Sequence, residues 1–203
     1  MTIGILVDGL GEYHGLPKTL DKIRPSLNQP VRNPIKLDLQ PMAPVGQTAR
    51  RCIARIRLIE DLVNRVIVLI DREQRAECPG DLALALAREV RGAVACNVTV
   101  VIKDRGLENW LVADFDTVSG LGGRFRFPAA DRSRVVPNKA DAVGALQMLK
   151  RAAVRRDYDK AEDALRILTD AQPLRMAANS RSFRKFLRSV GHASYRTQSK
   201  RPA

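Results

Sequence analysis

Three short apolar runs, rich in β-branched residues, stand out along the chain. They cover residues 3–7, 66–70 and 98–102. Each run is almost continuously hydrophobic, which is typical of a parallel β-strand that is covered on both faces. A weaker run at 35–39 precedes Pro41. The pattern therefore predicts a parallel, or mostly parallel, sheet of about four strands.

Between these runs, apolar residues recur with helical spacing. Residues 49–64 place isoleucine and leucine on one side and arginine on the other. Residues 79–92 begin with Pro79, a favoured residue for a first helical turn. Because strands and helices alternate, we expect an α/β fold in which helices flank the sheet.

Beyond a glycine-rich loop near residue 120, the pattern is helical over 139–153, 159–169 and 180–189. Asn179 or Ser180 is expected to cap the last of these helices. The final residues are polar and are expected to fray. We therefore divide the chain into three parts. They are an α/β core at 1–123, a basic helical segment at 124–193 that packs on the core, and a flexible tail at 194–203.

Composition narrows the class of protein. The 203 residues are 45% hydrophobic, which is enough for one domain with a buried core. The three cysteines are widely spaced and form no CxxC pair, so neither a disulfide framework nor a zinc finger is expected. No apolar run approaches the length of a membrane span, and no signal peptide is expected before the first strand. These features favour a cytoplasmic protein without membrane contact.

The net charge of +13 is concentrated in the second part of the chain. Residues 1–123 hold 16 Lys/Arg and 15 Asp/Glu, whereas 124–203 hold 19 and 7. Such a basic surface attracts nucleic acid, acidic partners or anionic membranes, although it can also be an ordinary solvated face. The candidate nucleic-acid contacts are Arg124, Arg126, Arg181, Arg184, Lys185 and Arg188.

Acidic residues follow the three clear strands. Asp8 and Glu12 follow the first, Asp71 and Glu73 the second, and Glu108 comes soon after the third. Ligands of open α/β sheets bind beyond the carboxyl ends of the strands. Mg²⁺ prefers oxygen ligands and can activate water beside a phosphate. The pattern predicts a magnesium site, open to Mn²⁺ as well, although acids in ordinary solvated turns remain the alternative.

We assign each acid a role in that site. Asp71 and Glu73 would hold the metal, because they lie two residues apart just beyond a strand. Asp8 would contribute directly or through water, and Glu108 would complete the shell. Glu12 would be a further ligand or a general base, so the catalytic candidates are Glu12, Asp71 and Glu73.

Two other interpretations compete with the metal site. Gly9, Gly11 and Gly15 follow the first strand, and Asp38 follows the weaker one, which loosely matches a dinucleotide-binding fingerprint. The spacing is off by one, and the glycines are better explained by turn geometry. Trp110, the only tryptophan, is expected to pack in the core, with base stacking as the lesser alternative.

Six short motifs follow one another along the chain. They are Leu6-Val7-Asp8-Gly9-Leu10-Gly11-Glu12, Asp71-Arg72-Glu73, Cys78-Pro79, Glu108-Asn109-Trp110-Leu111-Val112-Ala113-Asp114, Tyr158-Asp159-Lys160 and Ser182-Phe183-Arg184-Lys185-Phe186. In this order they resemble the bacterial domain-of-unknown-function family 4276, a Toprim-like family. The resemblance spans nearly the whole chain.

The resemblance implies a Toprim-type fold. In that fold a first-strand Glu and a later Asp-x-Asp pair bind Mg²⁺ for phosphoryl transfer on DNA or RNA. It also implies an ATPase partner and a role in defence against phage or mobile DNA, and it leaves a homo-oligomer open. Here Asp8 stands where the family has Glu, and Glu73 stands where it has Asp. We expect a Mg²⁺-dependent nuclease or a related phosphoryl-transfer protein that acts on nucleic acid. Because of these two departures, a catalytically silent nucleic-acid-binding or accessory subunit that partners an ATPase is the alternative.

Overall fold

A computed structural model describes residues 2–195 and contains one four-stranded sheet. The strands are β1 (Ile3–Val7), β2 (Ile35–Lys36), β3 (Arg65–Asp71) and β4 (Asn97–Lys103). All pairings are parallel, in the order β2-β1-β3-β4. The predicted α/β fold with a parallel sheet is confirmed.

The strand β2 is shorter than the predicted run at 35–39. The Leu37 amide still donates to the Val7 carbonyl, at 2.8 Å. Asp38 then adopts a positive φ of 53°, which turns the chain away from β1. Pairing therefore ends after two residues, although Leu37 itself is fully buried.

Helices account for most of the remaining described chain. They are α1 (Leu10–Ile23), α2 (Val45–Arg57), α3 (Pro79–Arg91), α4 (Leu107–Ala113), α5 (Phe115–Gly120), α6 (Ala129–Val135), α7 (Ala145–Ala152), α8 (Glu162–Asp170), α9 (Pro173–Asn179) and α10 (Arg181–Ser189). No helix among the described residues is both long enough and apolar enough to cross a bilayer.

The two faces of the sheet are covered by different helices. Because side chains alternate along a strand, Val7, Leu69 and Val101 face one core, which contains α1 and the C-terminal helices. Leu6 and Val68 face the other core, which contains α2 and α3. Both faces are therefore apolar, which explains the continuous hydrophobic runs in the sequence.

The predicted helix at 79–92 is confirmed. The helix predicted at 49–64 ends earlier in the structure than the pattern indicated. The helix α2 stops at Arg57, and a separate 3₁₀ turn covers Glu60–Leu62. The chain must reverse here to enter β3 at Arg65, and Leu62 is 57% exposed instead of buried. The predicted helix at 139–153 is likewise divided into a 3₁₀ turn and α7.

The C-terminal helices pack on the core through aromatic side chains. The rings of Phe183 and Phe186 lie 4.9 Å and 5.4 Å from that of Trp110, and all three side chains are fully buried. Ser180 caps α10 by accepting a hydrogen bond of 3.0 Å from the Phe183 amide. Of the predicted tail, 194–195 lie in a 3₁₀ turn, Ala193–Tyr195, and 196–203 lie outside the described residues.

Candidate active site

Two acids of the site come from neighbouring strands. Asp8 directly follows β1, and Asp71 ends β3. The chain leaves β1 toward β2 on one side and β3 toward β4 on the other, so this edge is the topological switch point of the sheet. One oxygen of Asp8 accepts a hydrogen bond of 2.7 Å from the Asp71 amide. The backbone of Asp71 therefore fixes the position of the Asp8 carboxylate.

A third carboxylate reaches this edge from the first turn of α1. Glu12 is only 2% exposed. One carboxylate oxygen from each of Asp8, Glu12 and Asp71 lies within 4.8 Å of the other two. Three carboxylates at this separation repel one another unless cations screen them. We call these three residues the acidic triad.

The cation that screens the acidic triad in this structure is Lys103, the last residue of β4. Its ammonium nitrogen lies 3.1 Å from Asp8 Oδ1 and 2.9 Å from Asp71 Oδ1, and it donates a hydrogen bond to Glu12 Oε1. The side chain is fully buried. Lys103 therefore links all three carboxylates from inside the protein.

Burial and charge act against each other in this cluster. Burial raises the pKa of Glu12, which the charge of Lys103 only partly offsets. Burial likewise raises the pKa of Asp71 well above its usual value, again against Lys103. For Lys103, burial would lower the pKa, but the three carboxylates raise it well above the usual lysine value. Even beside Lys103, burial therefore disfavours the ionised forms of Glu12 and Asp71.

Sequence reasoning missed Lys103, although a signal was present. Asp71 and Lys103 are directly paired in the register of β3 and β4, so their side chains leave the sheet on the same face. A charged residue that ends an otherwise apolar, doubly covered strand needs a buried partner. The alignment of two strand ends would have placed the lysine beside the aspartate.

A cleft of about 280 Å³ opens onto the triad. Glu12, Asp71 and Glu108 line it together with the chain at 159–161. A Cβ atom built on Gly106 would lie 3.0 Å from Glu108 Oε2 and 3.4 Å from Asp71 Oδ2. A side chain at this position would require the Glu108 carboxylate to shift by a few tenths of an ångström. The structure thus places the predicted residue Glu108 beside Asp71 at the open side of the cluster.

Glu73 is not part of this cluster. It has a positive φ of 57°, and its carboxylate accepts a hydrogen bond of 3.0 Å from the Met42 amide. It ties the segment after β3 to the loop before α2. The spacing of two residues from Asp71 suggested a shared cleft, but the backbone turn at Glu73 directs the side chain elsewhere.

The predicted nucleic-acid contacts fall into two groups. Arg124 and Arg184 are 6% and 3% exposed and are bound within the protein. Arg124 pairs with Asp163, and Arg184 donates to the Ala177 carbonyl and to Asn138 Oδ1. The other four lie at or near the surface; they are Arg126, Arg181, Lys185 and Arg188.

The glycines of the dinucleotide-like pattern serve helix packing. A Cβ atom on Gly11 would lie 2.7 Å from the Lys160 carbonyl oxygen, and one on Gly15 would lie 2.6 Å from Leu168 Cδ1. Gly11 and Gly15 therefore let α1 approach α8 and the segment before it closely. Asp38 pairs with Lys36 at 2.7 Å. Trp110 is fully buried, so it cannot stack on a base.

The donor set fits a hard divalent cation. When ionised, the acidic triad carries three negative charges and Lys103 one positive charge, which leaves an excess of two negative charges. Glu108 adds a further carboxylate at the cleft. Carboxylate oxygens are the ligands that Mg²⁺ and Mn²⁺ prefer. Glu12, Asp71 and Glu108 are the residues that could hold such an ion from the cleft.

Comparison with known families gives one clear result. The family model described as Domain of unknown function (DUF4276) matches residues 9–191. The match contains Glu12, Asp71, Lys103 and Glu108, and it begins one residue after Asp8. Comparisons with curated proteins and with solved structures gave no match. Because the model covers most of the chain, the family expected from the motifs is confirmed, and this protein belongs to the DUF4276 family.

Proposed function

We propose that this protein is a metal-dependent phosphoryl-transfer enzyme that hydrolyses phosphodiester bonds in nucleic acid. One observation carries the proposal. Carboxylates from two strand ends and a helix converge at the switch point of the sheet, where an open cleft reaches two of them, Glu12 and Asp71. Mg²⁺ is the expected ion, with Mn²⁺ as a substitute.

The chain supplies ligands and orientation. Glu12, Asp71 and Glu108 would hold the ion, while the Asp71 amide holds the Asp8 carboxylate in place beside them. When bound, Mg²⁺ would polarise the phosphoryl group and lower the pKa of a water nucleophile. Burial raises the pKa of Glu12, which makes its carboxylate a stronger proton acceptor.

Two lysines have separate tasks in this proposal. Lys103 offsets part of the repulsion among the carboxylates and holds them in place. Lys160 lies at the mouth of the cleft with its side chain 66% exposed, 3.9 Å from Glu108. It is the cation best placed to meet a phosphate that enters the cleft.

The cellular setting follows from the family resemblance and from composition. The cysteines Cys52, Cys78 and Cys96 are all free thiols, which supports a reducing, cytoplasmic location. A Toprim-type core, an ATPase partner and a role against phage or mobile DNA are part of the same proposal, because the family motifs imply them.

The test combines metal binding with cleavage. Purified protein is expected to bind Mn²⁺ in calorimetry and to cut single-stranded or duplex DNA or RNA when Mg²⁺ or Mn²⁺ is present. Asp71→Asn should abolish cleavage. Glu89→Gln, at an exposed carboxylate of α3, is the matched control and should retain activity. Absence of both metal binding and cleavage in the wild-type protein would refute the proposal.

A catalytically silent, nucleic-acid-binding accessory subunit is the second candidate. The observation that favours it is Lys103, which already neutralises part of the acidic triad without a metal. It predicts that the wild-type protein binds nucleic acid but does not bind Mn²⁺ and does not cleave nucleic acid. It also predicts that Asp71→Asn leaves nucleic-acid binding unchanged. Cleavage lost through Asp71→Asn would exclude it.

A further inference from the structure

A second, larger concavity lies beside the end of β4. It has a volume of about 710 Å³. Its walls are the first turn of α3, the end of β4 and the outer side of α10. We call it the α10 groove, and it is lined by Pro79, Gly80, Ile102, Asp104, Asn138, Asp141, Ala142, Arg181, Ser182, Arg184, Lys185 and Arg188.

The α10 groove and the cleft meet the same strand end. Ile102 and Asp104 line the groove, whereas Lys103, between them, holds the acidic triad. Successive residues of a strand point to opposite faces of a sheet. Ile102 and Asp104 therefore point away from the sheet face that carries Lys103, and an extended ligand in the groove would reach the candidate active site across the carboxyl end of β4.

The acids of the groove are already engaged within the protein. Asp104 pairs with Arg72 at 2.9 Å. Asp141 accepts hydrogen bonds from the Ser182 amide at 2.8 Å and from the Ser180 hydroxyl at 2.7 Å, so it occupies the N-terminus of α10.

Two of the cations that line the groove, Lys185 and Arg188, differ from these acids. Within residues 2–195, the structure gives no hydrogen bond or ion pair to the side chains of Lys185 and Arg188. Partial burial, together with the charge of Arg181, lowers the pKa of Lys185. Positive charges held close together in a concave surface gain free energy when an anion binds between them.

The shape and lining of the groove indicate which anion fits. A volume of 710 Å³ exceeds the needs of a single phosphate. None of the described lining residues is aromatic, so the groove offers contacts to phosphates but no stacking platform for bases.

We propose that the α10 groove binds the phosphate backbone of a nucleic-acid strand, independently of base sequence, through Lys185 and Arg188. The inference rests on the proposed function and deepens it, because it names the surface that brings the polymer to the acidic triad. Arg124 and Arg184 are not part of this proposed contact, because their guanidinium groups bind Asp163 and Asn138 within the protein.

The test measures binding without catalysis. Fluorescence anisotropy with a labelled single-stranded oligonucleotide of mixed sequence is recorded in EDTA over a series of salt concentrations. The double variant Lys185→Gln/Arg188→Gln is expected to bind about tenfold more weakly at low salt. Its slope of log affinity against log salt should be smaller by roughly 1.4, since each lost phosphate contact contributes about 0.7 for single strands.

The control is Arg51→Gln/Arg88→Gln, which removes two exposed arginines of α2 and α3 outside the groove. It should bind almost as wild type does. If the double variant does not fold, Arg188→Gln alone, at an exposed position, should reduce the slope by about 0.7. Circular dichroism establishes that each variant is folded.

Three outcomes would overturn the groove proposal. They are unchanged affinity in the groove variant, an equal loss in the control, and competition by polyglutamate as strong as that by unlabelled oligonucleotide. Because EDTA removes metal, the result is independent of cleavage. Cleavage without binding in the groove would contradict the groove proposal but not the proposed function. Binding in the groove without cleavage would contradict the proposed function but not the groove proposal.

Discussion

Two buried carboxylates, Glu12 and Asp163, have opposite electrostatic surroundings. Burial raises the pKa of Glu12 despite its contact with Lys103. Burial also opposes ionisation of Asp163, but hydrogen bonds from Arg124 and from the Asp159 amide hold its pKa below the usual value. At neutral pH the ionised Glu12 therefore lowers the free energy of unfolding, whereas the ionised Asp163 raises it.

The pH dependence of stability should therefore differ in sign between Glu12→Gln and Asp163→Asn. A raised folded pKa gives stability at low pH that is lost as pH rises through that pKa. The free energy of unfolding of Glu12→Gln, relative to wild type, should increase from about pH 4 to pH 7. That of Asp163→Asn, relative to wild type, should decrease as pH rises to about 5 and then stay level, because a lowered folded pKa gives stability that is lost only as pH falls below the unfolded value of about 4.

Urea unfolding followed by Trp110 fluorescence at several pH values measures both differences. The two variants serve as controls for each other, since both replace a buried carboxylate by its amide. Parallel pH dependence of the two differences would contradict the assigned electrostatics of the acidic triad.

At the residue scale, sequence showed the acids of the site but not how they meet. Asp8 and Asp71 follow apolar strands, so their shared edge could be predicted. Lys103 depends on the register between β3 and β4, which is a long-range property that no local pattern encodes. Glu73 depends on a single backbone turn with positive φ, which the sequence around it does not specify.

At the element scale, one arginine holds the irregular chain after α5 to the segment before α8. Arg124 donates to both carboxylate oxygens of Asp163, at 2.9 Å and 2.6 Å. It also donates to the backbone carbonyls of Val154, Arg156 and Asp157. The sequence analysis predicted that Arg124 contacts nucleic acid, because the sequence shows the charge of the residue but not its burial.

Replacing Arg124 by methionine should therefore be costly to stability. The change leaves the Asp163 carboxylate buried without its main partner, and breaking such a buried pair costs about 3–5 kcal/mol. Arg126→Met, two residues away at an exposed position, is the matched control and should change stability by less than about 0.5 kcal/mol. Chemical denaturation gives both values, and similar losses in the two variants would show that Arg124 is not a structural anchor.

The elements themselves were predicted best where local and global requirements agree. The run at 3–7 forms β1 with the predicted bounds, since it is apolar on both covered faces. The segment 58–63 continued the apolar pattern of α2, yet the need to enter β3 ended the helix early. Chain reversals of this kind are set by tertiary packing and leave only a weak local signal.

At the scale of the whole molecule, the core crosses the boundary at 123–124. Trp110 from the first part packs against Phe183 and Phe186 from the second, and its indole N–H donates to Ser182 Oγ at 2.7 Å. The same apolar cluster continues from β1 and α1 to α8 and α10. Neither part buries its apolar surface without the other.

The intact chain should consequently unfold as one unit. Fluorescence of Trp110 and far-UV circular dichroism should give coincident urea transitions, as expected for a single cooperative domain. A chain that ends at residue 123 should show an exposed, red-shifted Trp110 spectrum and no cooperative transition. Two separate transitions, or a stably folded 1–123 fragment, would show that the α/β core is independent.

The two walls of the cleft come from opposite parts of the sequence, namely the turn at Gly9–Glu12 and the segment at 159–161. This arrangement has a consequence for the order of events during synthesis. A growing chain makes all four strands, and with them Asp8, Asp71 and Lys103, long before residues 159–161 leave the ribosome. Because residues 1–123 are not expected to fold alone, the acidic triad and its cleft can form only when most of the protein has been made. Under the proposed function, the topology itself would delay cleavage of nucleic acid until translation is nearly complete.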